Sequence, residues 1–273
     1  MKKYVAAVQM DCISGNMKEN TRHMVHLLEK MKKEKPGIVL AVFPEMALYG
    51  YEKLEEISVR YQQQEIAKYL EEIAATCESL QLNAVVGAPY FGKAGLENAL
   101  YFLNTQGKVQ HVYSKMHLIE AERNVFVPGD SYGICSTSWG KIGFLICWDS
   151  AFPETASVYA RAGVEVLVVS AAWESPYERQ LELAVCGRSF DNDVPVIASN
   201  RIGKSDGLSL AGQSMITDCL GNILARETQD RENYVTAEWE QMLSKEKRQG
   251  FGSQIEELKE ESYFQENICT YVV

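Results

Sequence analysis

Three reactive side chains in this 273-residue chain each follow a predicted strand: Glu45, Lys115 and Cys147. Strand ends are where α/β proteins usually build their sites, so side chains at such positions can meet. A thiol attacks an electrophilic carbon, a carboxylate moves a proton, and an ammonium stabilises developing negative charge. Together these residue types suit hydrolysis through a covalent acyl-cysteine.

Each residue taken alone also fits an ordinary structural role. Glu45 follows Pro44, which ends a strand, and fits a loop acid or the first turn of a helix. Lys115 alone fits a surface lysine, and Cys147 alone fits an inert buried thiol. The chemical interpretation therefore depends on the three segments occurring together.

The segment around Cys147 predicts a strand, a tight turn and a helix. A predicted strand over residues 141–146 leads into the cysteine, and Pro153 and Gly163 bracket a short helix. This is the general form of a nucleophile elbow, in which the turn lifts the reactive atom above the sheet edge. A helix N-terminus or a nearby cation can ionise a thiol at such a turn.

Other motifs predict less. Residues 203–207 match G-x-S-x-G but lack the strand and helix that this motif needs, so we interpret them as a loop. A papain-like pair would need a histidine, and only His117 lies near a predicted strand end. His23 and His26 lack the further ligands of a metal site. No glycine-rich phosphate loop is present, and neither a metal nor a cofactor is expected.

Strands and helices alternate along the chain, which predicts one α/β domain over residues 1–273, with 240–273 as a C-terminal tail or arm. A first strand is expected near the N-terminus, where the apolar stretch is too short for a signal peptide. The other predicted helices span 18–33, 66–80 and 177–192. The other predicted strands span 38–43, 84–88, 99–103, 109–113, 164–169, 194–199, 214–217, 223–226 and 234–238.

Composition excludes several classes of protein. The net charge of −10 argues against nucleic acid or an anionic membrane surface as the main partner, because both repel an acidic protein. The sequence contains no run of about 18 apolar residues, so no membrane-spanning helix is predicted. The seven cysteines are odd in number and never spaced C-x-x-C, which indicates reduced thiols in the cytoplasm.

Taken in order, these segments resemble the carbon–nitrogen hydrolase family, also called the nitrilase superfamily, over most of the chain. Glu, Lys and Cys motifs occur in the family's order, and the later landmarks follow them. The segments are Ala7-Val8-Gln9-Met10, Phe43-Pro44-Glu45, Tyr49-Gly50-Tyr51, Tyr113-Ser114-Lys115-Met116-His117-Leu118, 126–130, Cys147-Trp148-Asp149, Phe152-Pro153-Glu154, Trp173, Arg188 and Asn200-Arg201-Ile202-Gly203.

The resemblance implies a four-layer αββα sandwich that pairs into a homodimer or a higher homo-oligomer. It also implies that Cys147 is the nucleophile, that Glu45 is the general base and acid, and that Lys115 with the Trp148 N–H holds the oxyanion. A second acid supports the base in many members; the spacing favours Glu122 over Glu120. Asp149 and Glu154 are expected to hold the elbow.

The hypothesis from the sequence is hydrolysis of a small linear amide to a carboxylic acid and ammonia. Tyr49, Tyr51, Trp148 and Trp173 are candidate pocket residues. Family members that hydrolyse nitriles typically follow the cysteine with Trp-Glu, whereas this chain has Trp148-Asp149, as the amidase and carbamoyl-amidase branches do. N-carbamoyl amide hydrolysis and nitrile hydrolysis remain enzyme alternatives. A binding protein that has lost catalysis, or an amide-donor subunit for a separate synthetase, would be of another class.

Overall fold

The computed structural model describes residues 2–205, 207–244 and 268–272. The helices are α1 Met17–Glu34, α2 Ile57–Arg60, α3 Gln63–Leu80, α4 Pro153–Arg161, α5 Glu178–Asn192 and α6 Trp239–Leu243. The strands are β1 Tyr4–Gln9, β2 Ile38–Val42, β3 Asn83–Phe91, β4 Leu96–Leu103, β5 Val109–Ser114, β6 Tyr132–Thr137, β7 Gly140–Ile146, β8 Val166–Ala171, β9 Val196–Asn200, β10 Lys204–Ser205, β11 Leu208–Ser209, β12 Met215–Thr217, β13 Ile223–Arg226, β14 Asn233–Glu238 and β15 Ile268–Val272.

Two mixed sheets carry most of the strands. The first has the order β14-β1-β2-β3-β4-β5, and the second has the order β13-β12-β9-β8-β7-β6-β15. In the first sheet β1, β2 and β3 run parallel, and in the second β7, β8 and β9 do. The carboxyl ends of three parallel strands therefore meet at one edge of each sheet.

Alternation along the strands separates three apolar layers. In β1, Val5 and Ala7 pack between the two sheets, whereas Ala6 and Val8 pack under helices α1 and α3. Phe144 of β7 likewise faces the first sheet, and its neighbour Leu145 packs against α4 and α5. The order of layers is helix, sheet, sheet, helix, which confirms the predicted four-layer αββα sandwich.

Helix α1 illustrates how local sequence sets these elements. Met24, Leu28 and Met31 form its buried stripe, which is the spacing of one helical face. The Asn16 side chain accepts a hydrogen bond from the N–H of Glu19 at 3.2 Å and caps the first turn. The helix ends at Glu34, before Pro36, because proline lacks the donor that a further turn needs.

The predicted strands and helices are present, with ends shifted by a few residues. The sequence reading missed α2, α6, β6 and the two-residue hairpin β10–β11, which occupies the region expected to be a loop. In β6, Gly133 lies so close to β5 that a Cβ there would be 1.6 Å from the Val112 carbonyl oxygen. Glycine is thus required for packing but weakens the strand pattern in the sequence.

The expected tail or arm over 240–273 lies partly outside the described residues, which omit 245–267 and 273. Of its described part, α6 follows β14, and β15 pairs in parallel with β6 at the edge of the second sheet. In the described part of the chain, none of the helices has the length and apolar character to cross a membrane.

Candidate active site

Glu45 lies in the turn that follows β2, with only 1% of its surface exposed. Its Oε2 accepts a hydrogen bond from the backbone N–H of Ala172, after β8 of the other sheet, at 2.9 Å. Gly87 of β3 makes room for this turn, since a Cβ there would lie 2.5 Å from the backbone nitrogen of Met46. The carboxylate is thereby held between the two sheets.

Lys115 follows β5 and is buried beside Glu45. Its backbone N–H donates to the carbonyl oxygen of Asn98 in β4 at 2.8 Å, which fixes where the side chain starts. Its Nζ lies 2.8 Å from Glu45 Oε1 and 2.8 Å from Glu122 Oε2. One ammonium therefore joins two carboxylates, and all three side chains are nearly inaccessible to solvent.

Glu122 belongs to a single 3₁₀ turn, Glu120–Glu122. Its Oε2 also accepts the N–H of Ile119 at 3.0 Å, which closes the turn around the carboxylate. Glu120, the other acid compatible with the spacing, is exposed. Of these two acids, the structure brings Glu122 to the Lys115 ammonium.

Tyr51, a predicted pocket residue, directs its hydroxyl at the two carboxylates. The hydroxyl oxygen is 2.7 Å from Glu45 Oε1 and also within hydrogen-bond distance of Glu122 Oε1. A phenol carries one proton, so it can donate to only one of the two oxygens at a time. The ring of Tyr51 packs against the apolar core beneath the first sheet.

Asn98 is a site residue that the sequence analysis missed. Its Nδ2 donates to Glu45 Oε1 at 2.8 Å and to Glu122 Oε1 at 3.0 Å, and its side chain is buried. The signal was present in the sequence, because Asn98 interrupts the otherwise apolar inward face of β4. A buried amide in such a strand needs a polar partner, and that partner is the carboxylate pair.

Cys147 lies where β7 turns into a 3₁₀ segment, Cys147–Ala151, followed by α4. Its φ is +46°, in the left-handed region that residues other than glycine seldom adopt. Strain of this kind is characteristic of functional turns, where the surrounding structure maintains it. The elbow predicted from the sequence is present at this residue.

Burial and the charges around Cys147 determine the protonation state of its thiol. Burial raises the pKa of Cys147 well above its ordinary value, and the Glu45 carboxylate raises it further, against Lys115 and a backbone hydrogen bond from Ala172. Lys115 thus lowers the pKa of the thiol, in the direction that the sequence indicated, but burial and the Glu45 carboxylate outweigh it. The resting thiol keeps its proton, and nucleophilic attack requires a base.

Lys115 and Glu122 are held in their charged forms. Burial alone would lower the pKa of Lys115, but the negative charges of Glu45 and Glu122 raise it above its ordinary value. Burial alone would raise the pKa of Glu122, but the Lys115 ammonium and the hydrogen bonds to the carboxylate lower it. Lys115 and Glu122 therefore form a buried ion pair, which stabilises the charged form of each.

A cavity of about 460 Å³ opens over Cys147. Its lining includes Ile119, Cys147, Trp148, Ala172, Trp173, Glu174, Tyr177 and Gln180. The predicted pocket residues Trp148 and Trp173 thus both border it, with ring centroids 5.9 Å apart. A cavity of this size and character suits a small organic molecule whose orientation is fixed by a few polar groups.

Asp149 ties the turn that bears Cys147 to the turn that bears Lys115. Its fully buried carboxylate accepts the backbone N–H groups of His117 at 2.8 Å and Ile146 at 3.2 Å, and also the Tyr113 hydroxyl at 2.9 Å. The His117 imidazole lies on the same carboxylate, so it takes no part at the thiol. Glu154, the other expected support, is exposed on α4.

Within the described residues, no group of three or more His, Cys, Asp and Glu side chains is arranged to hold a metal ion. The chemistry available at this site is that of a protonated thiol, an adjacent carboxylate and a buried ammonium. A thiol with a carboxylate base beside it can perform nucleophilic substitution at a carbonyl carbon.

Known proteins share both the sequence pattern and the fold. The family model described as carbon–nitrogen hydrolase matches residues 4–249. A probable nitrilase of Schizosaccharomyces pombe is 31% identical over 86% of this chain and 88% of that protein. A 2-oxoglutaramate amidase of Bacillus subtilis is 27% identical over 91% of this chain and 95% of that protein. The amidase of Nesterenkonia sp. AN1 in complex with butyramide, 18% identical, superposes with a TM-score of 0.80 over 89% of this chain and 92% of that chain.

Proposed function

The chain belongs to the carbon–nitrogen hydrolase family, and on that premise we propose that it hydrolyses a small linear amide to a carboxylic acid and ammonia through a thioester on Cys147. The observation that carries the proposal is the arrangement around the Glu45 carboxylate. Its Oε1 lies 2.8 Å from the Lys115 Nζ, and its Oε2 accepts the Ala172 N–H at 2.9 Å. Ala172 and Cys147 line the same cavity, which brings the base and its ammonium to the side of the nucleophile.

In the first step, Glu45 takes the proton of Cys147 as the sulfur attacks the amide carbon. The new carbon–sulfur bond moves the carbonyl electron pair onto oxygen. Because the thiol rests protonated, this transfer is essential, and such general-base catalysis typically contributes about 10²–10⁴-fold. Glu45 then donates that proton to nitrogen as the carbon–nitrogen bond breaks, and ammonia leaves.

The developing oxyanion is assigned to Lys115 and the backbone N–H of Trp148. Lys115 suits this role because its raised pKa keeps it an ammonium in a buried site, where charge is screened little. Loss of one donor to an oxyanion typically costs about 10²–10³-fold in turnover. Glu122 and Asn98 are positioning residues here, since they contact Glu45 and Lys115 and no reacting atom.

The second step mirrors the first. Glu45 takes a proton from a water molecule as the oxygen of that water attacks the thioester carbon, and the carbon–sulfur bond then breaks. The departing thiolate recovers its proton from Glu45, which restores the resting state. Over the cycle one amide and one water give one acid and one ammonia, with no oxidant or reductant.

An amide is favoured over a nitrile by the residue after Trp148. Asp149 is fully buried and is used entirely in holding the elbow. The Nesterenkonia amidase lends support of a different kind, since it has the same fold and a mutant of it binds butyramide, a short linear amide. We also propose that the chain acts in the cytoplasm and as a homodimer or higher homo-oligomer.

The experiment is ammonia release from a panel of linear amides, N-carbamoyl amines and nitriles, with wild type beside Cys147→Ala. Wild type should release ammonia from short amides, and the variant from none. Carbamoyl substrates would be identified by carbon dioxide, and nitriles by uptake of two waters per ammonia. Full activity in Cys147→Ala would refute the thioester mechanism. A folded wild type that is silent on the whole panel, with its Cys147 unreactive toward alkylation, would favour a binding protein that has lost catalysis.

A further inference from the structure

The described lining of the cavity over Cys147 contains an acidic residue but no basic residue. Of its eight lining residues named above, Glu174 is the one acid, and none is a lysine, arginine or histidine. Among the described residues, no Lys, Arg or His forms an ion pair with the Glu174 carboxylate. The Lys115 ammonium below Cys147 is already matched by Glu45 and Glu122. A substrate entering the cavity thus meets an unpaired carboxylate.

Aromatic rings surround the same space. Trp148, Trp173 and Tyr177 all line it, and Trp148 and Tyr177 are 40% and 46% exposed, respectively. Ring faces attract ammonium groups through their quadrupoles, and rings gathered around a cavity form the cages that bind alkylammonium ligands. The rings accept the methylene chain of such a ligand equally well.

Glu174 has a fixed place in the chain leading from the reacting centre. The backbone N–H of Ala172 contacts Glu45, and Trp173 is held by Asn200, whose side chain accepts the Trp173 N–H at 2.7 Å. The next residue, Glu174, pairs with Leu210 in an isolated bridge. The backbone of this segment is therefore held on both sides of Trp173, and Glu174 lines the same cavity as Cys147.

We infer that the amide substrate carries a cationic group at the end of its acyl chain, and that Glu174 selects this group. The inference rests on the proposed function, because it names the substrate class of the same site. The scissile amide lies at Cys147, the methylenes lie along Trp148 and Trp173, and the ammonium reaches Glu174. The net charge of −10 further favours the approach of a cation over that of an anion.

Three amides of similar length test this: δ-aminovaleramide, with a terminal ammonium; hexanamide, its neutral isostere; and glutaramate, with a terminal carboxylate. Wild type should show the highest kcat/KM for δ-aminovaleramide and the lowest for glutaramate. Glu174→Gln should lower kcat/KM for δ-aminovaleramide about tenfold or more, the usual loss for a hydrogen bond to a charged group. Its kcat/KM for hexanamide should fall much less, so the ratio of the two values reports the loss of the charge, and continued hydrolysis of hexanamide shows that the variant folds.

Glu178→Gln is the matched control, since it removes a charge from the same part of the chain, in the first turn of α5. It should leave the ratio of the cationic to the neutral amide as in wild type. Glu174→Lys should reverse the order and favour glutaramate.

The inference is overturned if wild type hydrolyses hexanamide with no preference for δ-aminovaleramide, or if Glu174→Gln leaves that preference intact. In both cases Cys147-dependent hydrolysis of hexanamide would leave the proposed function standing. Preference for glutaramate would also overturn it and would direct attention to Arg123, which lines a neighbouring cavity on the other side of Trp148. Silence on all three amides would overturn the proposed function and this inference together.

Discussion

Glu45 and Glu122 share their hydrogen-bond donors. The Oε1 atoms of both carboxylates accept from the Lys115 ammonium, at 2.8 and 3.0 Å, and from the Asn98 amide, at 2.8 and 3.0 Å. Two carboxylates this close would repel each other without the ammonium. The state of one therefore affects the other, which leads to testable consequences.

Replacing Glu122 should change how stability depends on pH. Its pKa is lowered in the folded protein, so it stabilises the fold above its unfolded value of about 4.3, and this contribution is lost as pH falls through the lower folded value. Glu122→Gln should reduce the free energy of unfolding by about 3 kcal/mol near pH 7. The deficit should shrink below about pH 4.

Urea unfolding followed by circular dichroism at several pH values measures this difference. Glu120→Gln is the control, since Glu120 is exposed in the same turn, and it should follow wild type throughout. A deficit for Glu122→Gln that is the same at pH 3 as at pH 7 would contradict the ion pair.

Asn98→Leu should impair turnover as well as stability. The change removes the amide that donates to both Glu45 and Glu122, so about 1–3 kcal/mol of unfolding free energy should be lost. Turnover should fall about tenfold or more, because Glu45 loses a contact that orients it. Asn83→Leu makes the comparison fair: Asn83 is a buried asparagine of the same sheet, bonded to the Val39 carbonyl oxygen. The Asn83→Leu variant should lose stability but keep the turnover of wild type. If Asn98→Leu has the same turnover as Asn83→Leu, Asn98 has no positioning role.

The thiol of Cys147 should titrate at unusually high pH. Burial and the Glu45 charge raise its pKa, so the thiolate fraction at neutral pH is below that of a free cysteine. Glu45→Gln removes a buried negative charge and leaves Lys115, so the pKa of the thiol should fall while turnover drops by about 10²–10⁴-fold. Thiolate absorbance in the ultraviolet, taken as the difference between each protein and its Cys147→Ser version, follows this titration. A higher thiol pKa in Glu45→Gln than in the parent would refute this account of the charges.

Asp149→Asn should weaken the elbow. The carboxylate accepts hydrogen bonds from two backbone N–H groups and from the Tyr113 hydroxyl. The NH2 group of an asparagine is itself a donor, so it would face some of these donors and the hydrogen bonds to them would be lost. We expect a loss of about 3 kcal/mol in unfolding free energy and a fall in turnover at temperatures where the variant is still folded. Glu154→Gln, on the exposed side of α4, should match wild type in both measurements. Thermal unfolding and ammonia release decide the matter, and an Asp149→Asn enzyme of unchanged activity would show that the elbow needs no such support.

Much of this arrangement could be predicted from local sequence. Apolar runs that end at Glu45 and Cys147, and the bracket of Pro153 and Gly163 around α4, are signals carried by a few consecutive residues. The buried stripe of α1 is equally local. These features are set by covalent geometry and burial over one or two turns, which short patterns record well.

The remainder depends on contacts between distant segments. Asn98 precedes Lys115 by seventeen positions and lies 53 positions after Glu45, so no single stretch reveals that its amide bridges two acids. The protonated state of Cys147 follows from the sum of burial, two carboxylates and one ammonium. Local sequence shows the turn and the lysine but not how far the thiol is buried.

The site draws its parts from both sheets. Glu45, Asn98 and Lys115 are positioned by strands of the first sheet, whereas Cys147 and Ala172 directly follow strands of the second. The site is therefore complete only when the two sheets keep their relative position. A slip of about 1 Å between them would cost on the order of 10²-fold in rate while leaving every strand intact. Turnover is therefore a finer gauge of how the two halves of the sandwich are aligned than any measure of secondary structure.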